Sequence, residues 1–394
     1  MLIQLTALTP SRVIKRSRGF GLVELMIAVV LGMLSTVIIF QVFATFEGRR
    51  RSTTSGMDAT ESGLMGLLAI ERESRHAGLG LIGYGRGSER QIVCRSINSY
   101  AVATGLTTAN IQPLRIVDGG AGSDELELVY GSSPFAATPA RLNTAVMTSD
   151  PAGTLTVSNA ASGNMFAVGD FIVVSEPAQP TKPCALLRVT GQFTNAAGVH
   201  IEHASTDPAN PPVATNIFPV APTFGYQTTA SNPALVINLG TIQRIRYRIV
   251  GNSLEVMDLA AGTAEIIADG VVAIQAQYGV TANAASPDIS AWVNATGGTW
   301  ANPTAADVAR IKAVRVAVIA RAALAEREDV TNATCTTRGG TVNAGPCAWI
   351  DDSVSDPAPA IDLSGLGSDW RRFRYRVYET VIPLRNVIWG DVNT

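Results

Sequence analysis

KRSRGFGLVELMIAVVLGMLSTVIIFQVFATF, residues 15 to 46, is the stretch from which the rest of the chain can be read. Basic residues lead into Gly19-Phe20, a single carboxylate follows at Glu24, and an uncharged apolar run begins at once. Leu25 to Phe46 is 22 residues without a charge. At about 1.5 Å per residue it covers ~33 Å, enough to cross a hydrocarbon core of about 30 Å, so the run predicts a membrane-crossing helix. Glu24 sits at its lip, and an acidic side chain carried to mid-bilayer costs roughly 2.5–3.5 kcal/mol. Ionisable groups in such segments are usually paired, so a cation is expected close by. A cut after Gly19 would supply one, the new amino terminus on Phe20.

Two simpler readings compete. A secretory signal places a small-residue cleavage site after an apolar core of about 7–15 residues. This core is longer and runs into Phe46-Glu47-Gly48-Arg49-Arg50-Arg51. A plain signal anchor fits the length, and with four basic residues before the helix (Arg12, Lys15, Arg16, Arg18) and three after it, charge bias barely sets orientation. It gives Glu24 no purpose.

The joint pattern resembles the class III signal of type IV prepilins and type II secretion pseudopilins. Gly19, Phe20, Glu24 and the run Glu24-Leu25-Met26-Ile27 match position by position, while Gly21 stands where Thr or Ser is commoner and the mid-helix proline of major pilins is missing. The resemblance implies that a prepilin peptidase cleaves between Gly19 and Phe20 on the cytoplasmic side and methylates the Phe20 amine. It also implies that Glu24 pairs with the amino terminus of an adjacent subunit.

Beyond the apolar run, Met57, Leu64, Leu67, Leu68 and Ile70 fall mostly at helical spacings, and Gly78 with Gly80 supplies a stop. A helix from Phe20 to about Arg75 would be roughly 84 Å long, its first half in the membrane and its second half packed on a head. Glu73-Ser74-Arg75-His76-Ala77-Gly78 resembles the D-[IL]-R-x-A-G element that closes this helix in PilW-type minor pilins, with Arg75, Ala77 and Gly78 matching.

Past Gly80 the apolar period becomes 2, with turn residues between short runs. Candidate strands are Leu126 to Tyr130, Phe171 to Val174, Leu186 to Val189, Leu235 to Leu239, Arg244 to Ile249 with its partner Leu254 to Met257, Val271 to Tyr278, Val314 to Ile319, and Phe373 to Ile382. In the clearest, Arg244, Arg246 and Arg248 alternate with Ile245, Tyr247 and Ile249 before a turn at Gly251-Asn252. Tyr247 to Leu254, Asp269 to Gly279, Ala313 to Ile319 and Arg374 to Asn386 follow the order of motifs in the PilW family, which they resemble. The expected class is α+β: a long amino-terminal helix, membrane half plus soluble amphipathic half, packed on a large antiparallel-sheet-rich head. The expected divisions are a leader at 1–19, cleaved; a transmembrane and assembly helix at 20–46; the soluble half of the helix at 47–78; and a head at 79–394. Within the head, residues 81–233 match no motif and read as a variable part rich in Gly, Ala, Thr and Pro.

Composition frames the head. Hydrophobic content of 46%, charged content of 16%, 36 Gly and 20 Pro describe a turn-rich globular chain. Loss of a leader with four positive and no negative side chains takes the formal charge from −2 to −6, so no general attraction to nucleic acid is expected. All four Cys lie beyond the membrane helix, where an extracytoplasmic setting would oxidise them. Cys335 and Cys347 flank a short Gly-rich loop, which leaves Cys94 with Cys184, although four thiols allow three connectivities.

Catalytic parts are few. Of the three His, His200 shares a predicted strand face with Glu202 while His203 points away, which is poor metal geometry. No H-E-x-x-H, G-x-S-x-G or P-loop motif occurs, and Gly119-Gly120-Ala121-Gly122 lacks a strand-to-helix frame. Asp351, Asp352, Ser353 and Asp356 lack Ca²⁺-loop spacing and read as a solvated loop. Arg371, Arg372, Arg374 and Arg376 read as a solvent-facing strand rather than a DNA contact. Trp292, Trp300, Trp349, Trp370 and Trp389 read as packing residues. Neither an enzyme nor a cofactor nor a metal is expected.

The resemblance as a whole implies a minor pilin that takes part in type IV pilus assembly, in a priming or tip complex, with a minor pseudopilin of type II secretion as the alternative. Implied partners are other minor pilins and the major pilin through the amino-terminal helix, the prepilin peptidase, the inner membrane and, as a candidate, a tip adhesin. The implied location is the inner membrane, single pass with a periplasmic head, and then the extracellular pilus that serves twitching and adhesion.

Overall fold

The computed structural model describes residues 19, 21–81, 97–99, 112–136, 138–143, 153–157, 165–176, 184–204, 206–210 and 234–388. The chain forms two compact units, Met1–Thr54 and Ser55–Thr394.

The first unit is helical. Helix α1, Leu22–Ser74, starts where Leu25 N–H donates to the Gly21 carbonyl at 3.1 Å, two residues later than the sequence predicts. Its Leu22–Glu47 stretch of 26 residues has a mean hydropathy of 2.5 and no buried residue. Polar hydroxyls in this stretch are absorbed locally: Thr36 donates to Gly32 O at 2.7 Å and Thr45 to Gln41 O at 2.9 Å. That is how Ser and Thr satisfy themselves in an apolar helix where water is scarce.

The second unit is sheet-rich. Its first strands are β1 (Ile97–Ser99), β2 (Leu114–Val117), β3 (Glu125–Gly131), β4 (Ala140–Arg141), β5 (Thr154–Val157), β6 (Phe171–Ser175), β7 (Cys184–Arg188), β8 (Gly191–Asn195) and β9 (Gly198–Glu202). There follow β10 (Leu235–Gly240), β11 (Ile242–Val250), β12 (Ser253–Asp258), β13 (Thr263–Asp269), β14 (Val271–Thr281), β15 (Ile289–Val293) and β16 (Ile311–Arg321). The last are β17 (Cys335–Thr336), β18 (Val342–Asn343) and β19 (Tyr375–Pro383).

Three larger sheets result, in the orders β13-β12-β11-β3-β2, β15-β14-β16-β19 and β1-β7-β6-β10-β4, beside a β5-β9-β8 sheet and a β17-β18 pair. Among the described residues every pair of named strands is antiparallel except β1 with β7. Each strand read from the sequence is present. The last begins at Tyr375 rather than Phe373, because Trp370–Arg372 forms a 3-10 turn that ends on the Phe373 N–H.

The main core lies where Leu67 and Ile70 of α1 meet the first two sheets: Leu126, Leu128, Tyr247 and Leu254 from one, Ile274, Tyr278, Val316 and Val318 from the other. Strands β14 and β16, buried on both faces, carry the near-continuous apolar runs that such placement demands. Their other face is covered by the excursion between β16 and β19, through Ala348, Ile361, Leu363 and Trp370. The Cys335–Cys347 disulfide staples that excursion. Cys184 is also disulfide-bonded, and its expected partner Cys94 lies outside the described residues. The middle of the chain builds its own cores around Phe166, Ile172, Leu187 and Ile201, and around Leu81, Leu186 and Leu239.

Candidate functional site

Glu24 is exposed in the first turn of α1, and Gly19 is exposed with open space around its Cα; Phe20 lies outside the described residues. The first-turn amides of a helix have no acceptor within it, and the helix dipole places partial positive charge there. An acid at this point contributes about 0.3–1 kcal/mol. That is well short of the roughly 2.5–3.5 kcal/mol an acid costs deep in a bilayer. Helix-end stabilisation therefore does not offset membrane burial of Glu24, and an ammonium group is the chemistry that would. The apolar side chains from Leu22 to Phe46 are exposed all round, so this segment offers packing surface in every direction.

Within the second unit, α1 is seated through small residues. Its buried face is Ala59, Gly63, Gly66, Leu67, Ile70 and Ser74. A Cβ on Gly63 would run into the Tyr378 ring, and one on Gly66 would stand 3.0 Å from Leu254 Cδ2. Met57, Leu64 and Leu68, expected from their spacing to share the packed stripe, are 67%, 42% and 61% exposed. The spacing finds the helix but misplaces the stripe, because the buried face is marked by absent volume rather than by apolar bulk.

The end of α1 is tied down by residues far away in sequence. Asn386 Nδ2 reaches the carbonyls of His76 at 3.2 Å and Ala77 at 3.0 Å in the turn that follows α1. Gly78, at φ 78°, turns the chain so that its N–H donates to Val129 O at 2.8 Å. Tyr130 OH donates to Glu73 at 2.5 Å. The Arg75-x-Ala77-Gly78 element and the closing Arg385-Asn386 element are thus the two halves of one contact.

Other candidates resolve into structure. Arg246 pairs with Glu127 and, at 3.4 Å, with Glu125; Arg248 pairs with Glu255 at 2.7 Å. Of the carboxy-terminal Arg group only Arg376 lies in a strand, which corrects the expectation of a solvent-facing strand. Arg371 and Arg372 are in the 3-10 turn, Arg371 pairs with Asp329 at 2.8 Å, and Arg374 pairs with Glu326 at 2.9 Å. The run Asp351 to Asp356 is a solvated loop except at one position: Asp351, Ser353 and Ser355 are exposed, whereas Asp352 is buried and accepts from Thr337 Oγ1 at 2.9 Å and from Ala358 N–H at 2.7 Å. Chain donors occupy its oxygens because the excursion folds over the sheet.

His200 bonds Thr156 at 3.1 Å and Asn195 at 2.8 Å and stacks on Phe193. His203 lies just past the end of β9, buried, and burial pushes its pKa down to about 4. Among the described residues no group of His, Cys, Asp or Glu has metal-binding geometry. Arg315 is held between Trp292 and Trp349, 5.1 and 4.7 Å from their ring centres, and Trp370 is buried; Trp389 lies outside the described residues.

Sequence reading missed Asp124. Beneath the Gly119 to Gly122 turn, its two carboxylate oxygens accept the Gly119 and Ala276 N–H groups, each at 2.8 Å. Burial, the largest influence, pushes its pKa up to about 7 against those two bonds. The only sequence cue is an acid directly after a Gly-rich turn.

A family model described as the prokaryotic N-terminal methylation motif matches residues 14–40. A second, described as Type IV Pilus-assembly protein W, matches residues 242–386, which run from β11 through the Asn386 contact. Together they support a PilW-like type IV pilin. No curated protein and no solved structure matches it. The apolar helix and the methylation motif together make this pilin a single-pass, membrane-anchored protein related to type IV pilus assembly. The two matches cover the part of α1 that bears Glu24 and the strands from β11 onward, and leave the middle of the head unmatched.

Proposed function

We propose that this pilin is cut between Gly19 and Phe20, methylated on the Phe20 amine, and built through α1 into a type IV pilus as a minor subunit of the complex that primes growth and sits at the tip. The supporting observation is Glu24: one carboxylate at the first turn of a 26-residue apolar helix, behind a basic leader. Cleavage places an ammonium on Phe20 and leaves Glu24 as the anion that a neighbouring subunit's amine can meet. In a low-dielectric surround an unpaired charge is far costlier than a paired one, so the pairing selects correctly staggered helices.

On this reading residues 1–19 are removed, 20–46 pack among other minor pilins and the major pilin, 47–78 join the head, and 79–394 form the head. The head stays in the periplasm before assembly, where Cys94 and Cys184 form a second bridge. A head well above the usual domain size of about 100–150 residues would crowd a repeated helical lattice, which favours a terminal position.

The mass and amino-terminal sequence of the mature protein test the first step. Methyl-Phe20 at the amino terminus is expected, and an intact leader in cells with active peptidase would sink the reading. Glu24→Ala should leave the protein anchored and folded while cutting its recovery in sheared pili at least tenfold. Deletion should abolish surface pili with exoprotein secretion intact, whereas the reverse would transfer the chain to a secretion pseudopilus.

A further inference from the structure

Strand β19 is the edge of its sheet. It pairs with β16 from Tyr375 to Pro383, and among the described residues no strand pairs with its other side. Two flanking bonds fix which way its backbone points: Ala322 N–H donates to Arg374 O and Leu384 N–H to Lys312 O, both at 2.8 Å. Bonding in an antiparallel ladder alternates. Arg376, Tyr378, Thr380 and Ile382 therefore spend their N–H and C=O groups on β16, and those of Tyr375, Val377, Glu379 and Val381 point outward.

Such a row is a template for another strand, and proteins guard it with charge, proline or cover. The guard here is thin. Glu379 is turned back to accept the Trp349 N–H at 2.7 Å, and Pro383 stands only at the last position, which leaves Arg376.

Helix α1 adds an apolar flank to the same edge. Successive helical residues turn by about 100°, so Gly66 and Gly63 differ by roughly 60° around the axis. Gly66 faces Leu254 and Val271, whereas Gly63 faces Tyr378 of β19. Continuing the rotation from Gly66 through Gly63 reaches Leu64, Met57 and Leu68, the exposed residues misassigned by spacing. Leu64 comes first on that side, about 100° past Gly63, and is 42% exposed.

We propose that the outer edge of β19 is the docking site for an extended strand of another protein of the pilus assembly. That strand's backbone completes the ladder at Tyr375, Val377, Glu379 and Val381, and its apolar side chains on the helix side meet Leu64. Unpaired backbone groups in a row fix the occupant's chemistry, because only another strand answers them in register. A second copy fits badly. Ala59 clusters with Ala320, the register partner of Arg376, Gly63 meets Tyr378, and Asn386 meets the end of α1, so α1 and β19 run the same way. A copy paired antiparallel would reverse its own α1, and its Ser55, where the apolar segment joins, would lie at the far end. The proposal rests on the assembly reading above and adds a surface to it.

Hydrogen exchange of the full chain tests it, comparing detergent micelles with sheared pili. Peptides spanning Tyr375 to Pro383 should exchange at least tenfold more slowly in pili. A photo-crosslinking residue at Arg376 should join a single extended segment of a different pilus protein. Val381→Pro deletes one outward N–H and leaves the bonds to β16 intact, a substitution edge strands tolerate; it should melt as the parent does and lose the protection. Unchanged exchange in pili, cross-links to a second copy in a mixed-isotope sample, or protection that survives Val381→Pro would each overturn the site. Should Val381→Pro not fold, the exchange and cross-linking results on the parent backbone still decide. A chain present in pili with an unprotected β19 sinks this inference alone; absence from pili sinks the assembly reading with it.

Discussion

The two halves of α1 solve opposite problems with one helix. From Leu22 to Phe46 apolar bulk faces every direction and no residue is buried; from Ala59 to Ser74 the buried face is Ala, Gly, Gly, Leu, Ile and Ser, while Met57, Leu64 and Leu68 stay outside. In the first half the solvent is lipid, so hydrophobicity itself is the signal. In the second the helix must come close to β16 and β19, so missing volume is the signal, and a hydropathy pattern is blind to it. Bulk in the first half marks a surface for other molecules. By the same logic the bulk left outside in the second half marks one too.

The largest expected effect tests the packed half. Ile70 is fully buried, and Ile70→Ala should cost about 2–5 kcal/mol in denaturant unfolding of the full chain in micelles. The same change at Ile39, 55% exposed, should leave that transition unmoved. Equal costs at both positions would erase the contrast.

The head also buries charge, whereas the lipid-facing half carries none after Glu24. Asp124 has its pKa raised from 3.8 to about 7, chiefly by burial. Because the folded value is the higher one, its stabilising contribution is complete below about pH 4 and is lost as pH rises through 7. One pKa unit is about 1.4 kcal/mol, so the loss is bounded at roughly 4 kcal/mol. Chemical denaturation from pH 4 to 8 should show the decline, and Asp124→Asn should flatten it whatever fixed cost the substitution carries. A parental profile that is flat over this range would show that the Gly119 and Ala276 donors keep the carboxylate ionised.

Gly63→Val sharpens the comparison from the other side by adding bulk where the helix approaches Tyr378. Overpacking of this kind costs about 1–3 kcal/mol. Gly32→Val, in open space on the apolar half, should cost nothing measurable in the head transition. Asn386→Ala comes next: it strips the cap from His76 and Ala77, and about 1 kcal/mol is expected from the lost bonds. Exchange should quicken at the end of α1 before it does elsewhere.

How much of this was legible follows the same physics. The apolar run, Glu24 and the alternating strands could be read because each is a local pattern of side-chain type. Two local readings failed where distant chain supplied the environment. Asp352 looks solvated until the excursion folds over it, and the Arg371 to Arg374 group looks like a strand until Trp370 tucks under and turns the backbone; the contact of Asn386 with the end of α1 has no local pattern to mark it. The stapled excursion was legible in part, since the short Cys335 to Cys347 spacing suggested a local bridge but gave no hint of the sheet face it covers.

The smallest expected effect on stability belongs to the exposed one of two adjacent leucines. Leu67 is 8% exposed in the main core and Leu68 is 61% exposed on the opposite flank. Leu67→Ala removes packed methyl groups and leaves a cavity, so a cost of about 2–5 kcal/mol is expected. Leu68→Ala removes comparable groups from water, and exposed substitutions typically stay within about 0.5 kcal/mol. If Leu68 is spare surface, its loss should go unnoticed in pili as well. If it borders the docked strand instead, a chain of undiminished stability should lose protection at Val377 and Val381 in the assembled state. Stability and assembly would then separate across one peptide bond, a result helix propensity cannot produce, because the two substitutions are the same in kind and differ only in which face of α1 they strip.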